Sequence, residues 1–312
     1  MSVLLREAEV RELLPIAVAI EAVEGAFGLL GRGEAVNCPR RRGSVQGAVL
    51  NVMWALAPTL GAMGIKSYPI VRTDVTQGSS FTFLPNGHLD AIIEADALGQ
   101  RRTGAASAVA TKYLARTDSE VLAVFGAGWQ AESQVEAVAQ VLPYLRRVLV
   151  VGRSAGRRNR YIAQMRRRTG LSFEAAEPEA AVRGADVLIT ATGSYEPVFD
   201  GAQLSPGTHV NAVGSNLAQK RELDAETLHR AGRVVVDSAE VAHLESGDLL
   251  MNNFDWDRLE ELGPIVAGQA SGREGDEITV FESHGLALED LACAVRVLRR
   301  ARELGIGAEL PV

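Results

Sequence analysis

The segment Val121-Leu122-Ala123-Val124-Phe125-Gly126-Ala127-Gly128-Trp129-Gln130-Ala131 constrains this chain more than any other. Five apolar residues predict a buried strand, and the glycines break it before a helix over about 130–141 that Pro143 stops. Gly126 permits the tight turn, and Gly128 lets backbone approach a pyrophosphate. Ala131 lets the helix pack close to the strand, with its first N–H groups aimed at phosphates. A GxGxxA match alone is a common glycine-rich turn. Between a strand and a helix it predicts a dinucleotide site on a Rossmann fold.

The pattern downstream agrees. Further strands are expected at 147–151, 187–190, 209–213 and 234–236, alternating with helical stretches, which predicts right-handed βαβ units and a parallel sheet. The second strand ends at Val151-Gly152-Arg153-Ser154, followed by Gly156-Arg157-Arg158. An NAD site commonly places a carboxylate there for the ribose 2′-OH. This chain offers Arg153, Ser154 and Arg157 instead, donors suited to a 2′-phosphate, so NADP is the expected cofactor ahead of NAD. The alternative is that Arg157 and Arg158 lie on a solvated helix start. Thr192 and Gly193, just past the third strand, are expected to line the cofactor cleft.

Residues 1–100 read differently, as strand-rich with one early helix over 12–31. Short runs at 48–53, 62–69, 81–84 and 89–93 predict strands, the last two joined by a turn at Pro85-Asn86-Gly87. An alanine-rich helix is expected over about 104–116. A final helix carries Leu288, Leu291, Val295 and Leu298 on one face, with Asp290 near its start and arginines crowding its end, as the macrodipole prefers. The net charge of −7 argues against a nucleic-acid partner despite local arginine clusters. Cys38 and Cys293 show no metal or redox spacing, and the five histidines show no paired spacing, so no metal site is expected. The run 13–30 carries Glu21 and Glu24 and reads as an amphipathic helix rather than a membrane span. With no cleavable leader pattern before it, the expected compartment is the cytoplasm.

Several segments together resemble the ornithine cyclodeaminase/mu-crystallin family. They are Pro39-Arg40-Arg41-Arg42, Gly64-Ile65-Lys66, Arg102-Thr103-Gly104-Ala105-Ala106-Ser107-Ala108, the Gly126–Ala131 turn, Gly214-Ser215-Asn216 with Lys220-Arg221-Glu222-Leu223-Asp224, and the run from Phe281 to Ala292 that contains Ser283-His284-Gly285. They cover nearly the whole chain in order. The resemblance implies an α/β fold in which a Rossmann dinucleotide-binding domain is inserted into a strand-rich α+β substrate and dimerisation domain. The expected division is 1–116, 117–284 and a returning helix in 285–312, and the expected assembly is a homodimer.

What the resemblance implies chemically is oxidation of an amino acid or reduction of an imine by bound nicotinamide. Arg40, Lys66 and Arg102 match the family's substrate residues, with Met53 beside them. Two guanidiniums can clamp a carboxylate, and Lys66 can hold it or move a proton at the reacting nitrogen. Locally, Arg41 and Arg42 compete with Arg40, and Arg101 with Arg102; the family pattern selects between them. Lys66 sits in an apolar stretch, where a lysine is costly unless paired. The pattern further assigns Thr103, Gln130, Val213, Gly214, Ser215, His284 and Gly285 to the cofactor. Asn216 and Asn51 stand where ornithine cyclodeaminase carries an aspartate and a glutamate. An amide neither gives nor takes a proton near neutrality, so the Gly-Ser-Asn form looks like the imine reductases, with Asn216 in the catalytic set. Asp224 is read as a helix-start residue. The leading expectation is NAD(P)H-dependent reduction of a cyclic imino acid. The alternatives are ornithine cyclodeaminase, an alanine-type dehydrogenase and a non-catalytic NADP-dependent small-molecule binder.

Overall fold

The computed structural model describes residues 2–71, 79–83 and 86–311. The chain divides into two compact units, one formed by Met1–Arg102 with Leu286–Val312 and the other by Thr103–Gly285. The first division falls inside the helix Asp96–Leu114, not after it at 116 as the sequence suggested. That helix also begins earlier than expected, and from Thr103 onward it packs with the second unit. Gly104 approaches Ser133 so closely that a Cβ would lie 2.4 Å from its carbonyl oxygen, and the Gln134 amide donates to the Thr103 carbonyl at 3.1 Å.

In the first unit β1 (Ser2–Leu5) pairs in parallel with β6 (Leu89–Glu94). The meander β2 (Val36–Val45), β3 (Ala48–Ala57), β4 (Ala62–Val71) and β5 (Ser79–Phe83) leads antiparallel to β6. Strand β3 alternates as its sequence requires: Asn51, Met53, Ala55 and Ala57 are buried, and Leu50, Trp54 and Leu56 are exposed. The expected hairpin between β5 and β6 is present as a pairing; Leu84 and Pro85 lie outside the described residues.

Strand β2 was not expected, because Pro39 and its run of arginines hide the alternation. Gln46-Gly47 joins it to β3, with Gly47 at φ +84° as a two-residue hairpin demands. Its register shifts between Cys38 and Arg41. This bulge buries Pro39 and Arg40 in succession and leaves Arg41 and Arg42 outside. The early helix is also corrected. It is two helices, Glu7–Leu13 and Ile16–Gly31, bent by 82°. Pro15 drives the preceding Leu14 out of the helical region, to φ −117° and ψ 69°. No single helix among the described residues is long and apolar enough to cross a membrane.

The second unit carries β7 (Val121–Phe125), β8 (Arg147–Val151), β9 (Ser172–Ala175), β10 (Val187–Thr190), β11 (His209–Ala212), β12 (Ala231–Val236), β13 (Leu259–Glu261) and β14 (Ile278–Glu282). They form one parallel sheet in the order β9-β8-β7-β10-β11-β14-β12-β13. The order reverses between β7 and β10, the switch point at which doubly wound folds bind ligands. Apolar clusters cover both faces: Leu122, Val124, Val135 and Met165 belong to one, Phe125, Leu188, Val210 and Val280 to the other. The five strands expected from sequence are all present; β9, β13 and β14 were not anticipated.

The chain then returns to the first unit. The helix Ala287–Leu304 packs against β2, β3, β4 and β5 and against Ile16–Gly31, and β15 (Ala308–Leu310) pairs antiparallel with β1. The resulting seven-stranded order is β15-β1-β6-β5-β4-β3-β2.

Candidate active site

Four separate stretches of the first unit converge on one buried cluster. The bulge of β2 supplies Arg40, β4 supplies Lys66, the helix Asp96–Leu114 supplies Arg102, and the helix Ala287–Leu304 supplies Glu289 and Asp290. All five are buried. Lys66 Nζ donates to Asp290 Oδ1 at 2.6 Å, and Arg102 Nη1 donates to Glu289 Oε2 at 2.9 Å. Arg102 Nε lies 3.4 Å from the same Asp290 Oδ1. Met53 pairs across the ladder with Lys66, and Asn51 with Tyr68, so all four residues share the inner face of β3 and β4. The Asn51 amide N–H donates to the Tyr68 carbonyl at 3.3 Å.

The arginines that compete in sequence are separated here. Arg41 and Arg42 face outward. Arg101 donates to the carbonyls of Arg11 and Leu14 and closes the end of the first helix. Burial pushes the Lys66 ammonium below its ordinary range against the pull of Asp290, while Arg102 and Arg40 push it further down. Arg102 shows the opposite balance: burial opposes its charge, but Asp290 and Glu289 together raise it above the usual guanidinium value.

The second unit holds a cavity of about 590 Å³ at the switch point. Gly126, Gly128, Arg153, Ser154, Arg157, Thr192 and Gly193 line it. Gly126 has φ +111°, and a Cβ there would come within 2.4 Å of the Ala191 carbonyl oxygen. Gly128 opens the helix Trp129–Val141 with no side-chain cap, so its first N–H groups remain for phosphate oxygens. No acidic residue is among the described residues lining the cavity. These features fit a dinucleotide. Ser154 caps the helix Ala155–Thr169, accepting from the Arg157 N–H at 3.4 Å. Gln130 and Ala131 stand one turn into the glycine-capped helix, and Val213 to Asn216 follow the end of β11.

Beneath the strand ends lies a cluster of acids that sequence reading did not anticipate. Glu222 accepts from the Thr192 N–H at 2.7 Å, the Thr192 hydroxyl at 2.5 Å and the Gly214 N–H at 2.8 Å. One carboxyl group thus ties together the loops after β10 and β11. Asp248 accepts from the N–H groups of Glu222 and Leu223 at 2.7 and 2.6 Å. Asp237 accepts from the N–H groups of His284 and Gly285, both at 2.7 Å, and its other oxygen lies 3.4 Å from His284 Nδ1. His284 Nε2 lies 3.8 Å from Glu282. The His284 ring is therefore buried between the carboxylates of Asp237 and Glu282. Burial holds the Glu222 carboxyl up at about 7 and Asp248 at about 6. Glu282 is raised well above its ordinary value by burial and by the carboxylates of Asp248 and Glu222. Asp237 is lowered in spite of burial, because His284 stands beside it. Asp224 caps the helix Ala225–Arg230 through Thr227, as the sequence suggested.

A signal for these acids exists in the sequence. Val280-Phe281-Glu282 and Val235-Val236-Asp237 each place a carboxylate at the end of an apolar run. Such a position is costly without partners.

Comparison with known proteins identifies the family. The model of the ornithine cyclodeaminase/mu-crystallin family matches residues 1–305. A Δ1-pyrroline-2-carboxylate reductase from Bacillus cereus is 34% identical over 273 residues, covering 83% of each chain. The solved Thermococcus litoralis Δ1-pyrroline-2-carboxylate reductase, in complex with NADH and L-proline, superposes with a TM-score of 0.94 at 33% identity, covering 99% of this chain and 100% of that one. An archaeal alanine dehydrogenase dimer with bound NAD gives a TM-score of 0.93 at 31% identity, covering 99% and 98%. The chain belongs to the ornithine cyclodeaminase/mu-crystallin family.

Proposed function

We propose that this chain is an NAD(P)H-dependent reductase of a cyclic imino acid, Δ1-pyrroline-2-carboxylate or Δ1-piperideine-2-carboxylate, giving the cyclic amino acid. The observation that carries this reading is the gathering of three buried cations in one cluster of the first unit. Arg40, Lys66 and Arg102 come from three separate elements, and all are buried. Guanidinium and ammonium donors converging in this way are the complement of a substrate carboxylate.

In this reading Arg40 and Arg102 hold the substrate carboxylate, and the planar guanidiniums fix the ring by paired hydrogen bonds. Met53 offers an apolar wall for the ring. Lys66 holds a proton at the ring nitrogen, so that the electron pair of the C=N bond ends in an N–H bond. When bound, the reduced nicotinamide supplies the hydride that the imine carbon takes up. Neither Asn51 nor Asn216 carries a charge for the side-chain amine of ornithine or a proton for a cyclising intermediate. That favours the reductase over the cyclodeaminase within the family.

NADP is the proposed cofactor ahead of NAD. Arg153 and Arg157 are exposed where β8 ends, and the cavity wall has no carboxylate for a ribose 2′-OH. A homodimer is proposed as well. The outer face of the β2–β4 sheet carries Leu50, Trp54, Leu56, Ile65 and Ile70, all exposed, an apolar stripe suited to a second copy. The cytoplasm is the proposed compartment, in keeping with the free thiols of Cys38 and Cys293.

The test is absorbance at the nicotinamide band with NADPH and each imine, run beside ornithine with catalytic NAD and an ammonia assay. Loss of absorbance with an imine is the expected result. Ammonia from ornithine without net cofactor change would replace the reductase reading with the cyclodeaminase.

A further inference from the structure

We propose that Asp290 is the positioning residue of the substrate site, fixing Lys66 and Arg102 from the last long helix and keeping Lys66 in its proton-bearing form. The proposal rests on reading the first unit as the substrate site. Its geometry stands independently of that reading.

One oxygen of Asp290 serves both cations, at 2.6 Å from Lys66 Nζ and 3.4 Å from Arg102 Nε. Its other oxygen is buried and has no hydrogen-bond partner among the described residues. Asp290 is 1% exposed, so water does not compete for either contact. Glu289 accepts from the Arg102 guanidinium at 2.9 Å, so the two neighbouring acids hold that group together. Room for the lysine comes from Gly99, where a Cβ would lie 3.1 Å from Nζ. The two chain positions are far apart in sequence, so nothing local enforces the pair.

The groups around Lys66 explain why it needs a partner. Arg40 faces it from β2, Tyr68 lies on its own strand with the ring centroid 5.7 Å from Nζ, and Arg102 faces it from the helix Asp96–Leu114. Glu289, Asp290 and Cys293 belong to the last long helix, and the buried Cys293 thiol, its pKa raised, brings no charge. Burial and both arginines disfavour the ammonium, and Asp290 opposes them. Removing the charge of Asp290 while keeping its shape leaves Lys66 to lose its proton at lower pH. An opposite charge at this distance typically moves a pKa by about 1–3 units.

The chain contains three lysines, Lys66, Lys112 and Lys220. Their titration can therefore be followed one by one in protein carrying 13C-labelled lysine, with Lys66→Arg assigning the signal. The expected result is that Asp290→Asn moves the Lys66 midpoint down by about 1–3 pH units and Asp290→Glu restores it. In the same variants the alkaline limb of kcat against pH should shift by the same interval, with NADPH affinity unchanged. An Asp290→Asn protein that unfolds at the same temperature as the parent and shows an unmoved Lys66 midpoint would overturn the proposal. If Asp290→Asn fails to fold, Asp290→Ala carries the test, because loss of the carboxylate must still lower the Lys66 midpoint, and an unmoved midpoint there would overturn the proposal equally. Failure of the parent to reduce any imine would count against the reductase reading alone, since the lysine titration decides Asp290 without turnover.

Discussion

The two units each bury a group of ionisable side chains, and they treat charge in opposite ways. In the first, each described carboxylate touches a cation: Asp290 touches Lys66 and Arg102, and Glu289 touches Arg102. In the second, Asp237 and Glu282 stand against the ring of His284, and Asp248 and Glu222 stand close enough to Glu282 to raise it. Burial lifts three of these four acids, Glu222 to about 7, Asp248 to about 6 and Glu282 well above its ordinary value. The first cluster pairs its charges directly, as the substrate site proposed above requires. The second is a scaffold of backbone-directed acceptors that orders the loops after β10 and β11 and the segment after β14.

The sharpest way to break this comparison is to remove one charge from the first cluster. Lys66→Ala should lower kcat on an imine by about 10²–10⁴-fold, the usual worth of a positioned proton donor, while NADPH binding holds. Stopped assays and cofactor titration check it, and unchanged turnover would take Lys66 out of the chemistry.

The corresponding change in the second cluster should read in stability. Glu222→Gln puts an amide N–H against a backbone donor and should cost about 1–3 kcal/mol of unfolding free energy. Its effect on pH dependence is distinctive. The unfolded carboxyl ionises near 4.5 and the folded one near 7, so the folded chain keeps a proton that the unfolded chain loses. Stability from this group is full below about 4.5 and falls as pH rises to about 7. Asp237 works in the other sense, since its lowered pKa adds stability that is lost on acidification. Denaturant melts across pH 4–8 should therefore show a flatter decline in Glu222→Gln than in the parent. An unaltered slope would mean that burial does not raise the Glu222 carboxyl as described.

The smallest expected effect lies at the cavity rim. Arg157→Ala should weaken NADPH by about tenfold and leave NADH nearly untouched. Equal losses for both cofactors would point to the helix start, not to a 2′-phosphate.

How much of this was legible in advance depended on the range of each interaction. The dinucleotide turn is written in eleven consecutive residues, and its strand and helix form where local periodicity puts them. Arg40, Lys66 and Arg102 were reachable through family resemblance, but no local rule distinguished Arg40 from Arg41. A bulge in an unexpected strand makes that choice. Asp290 was visible only as an acid in a helix's first turn, because its partner lies in a strand near the other end of the sequence. Pro15, by contrast, carried a local signal for the bend between the first two helices, and amphipathic periodicity across it concealed the break.

The order of the chain gives the charge pairing a temporal meaning. A ribosome delivers Lys66 and Arg102 early, and the carboxylates they touch emerge only with the last long helix. Until residues 289 and 290 arrive, closing the first unit would bury both cations without these carboxylates, at a cost of about 3–5 kcal/mol for each missing pair. A chain cut short before that helix is therefore expected to leave these two basic side chains in water.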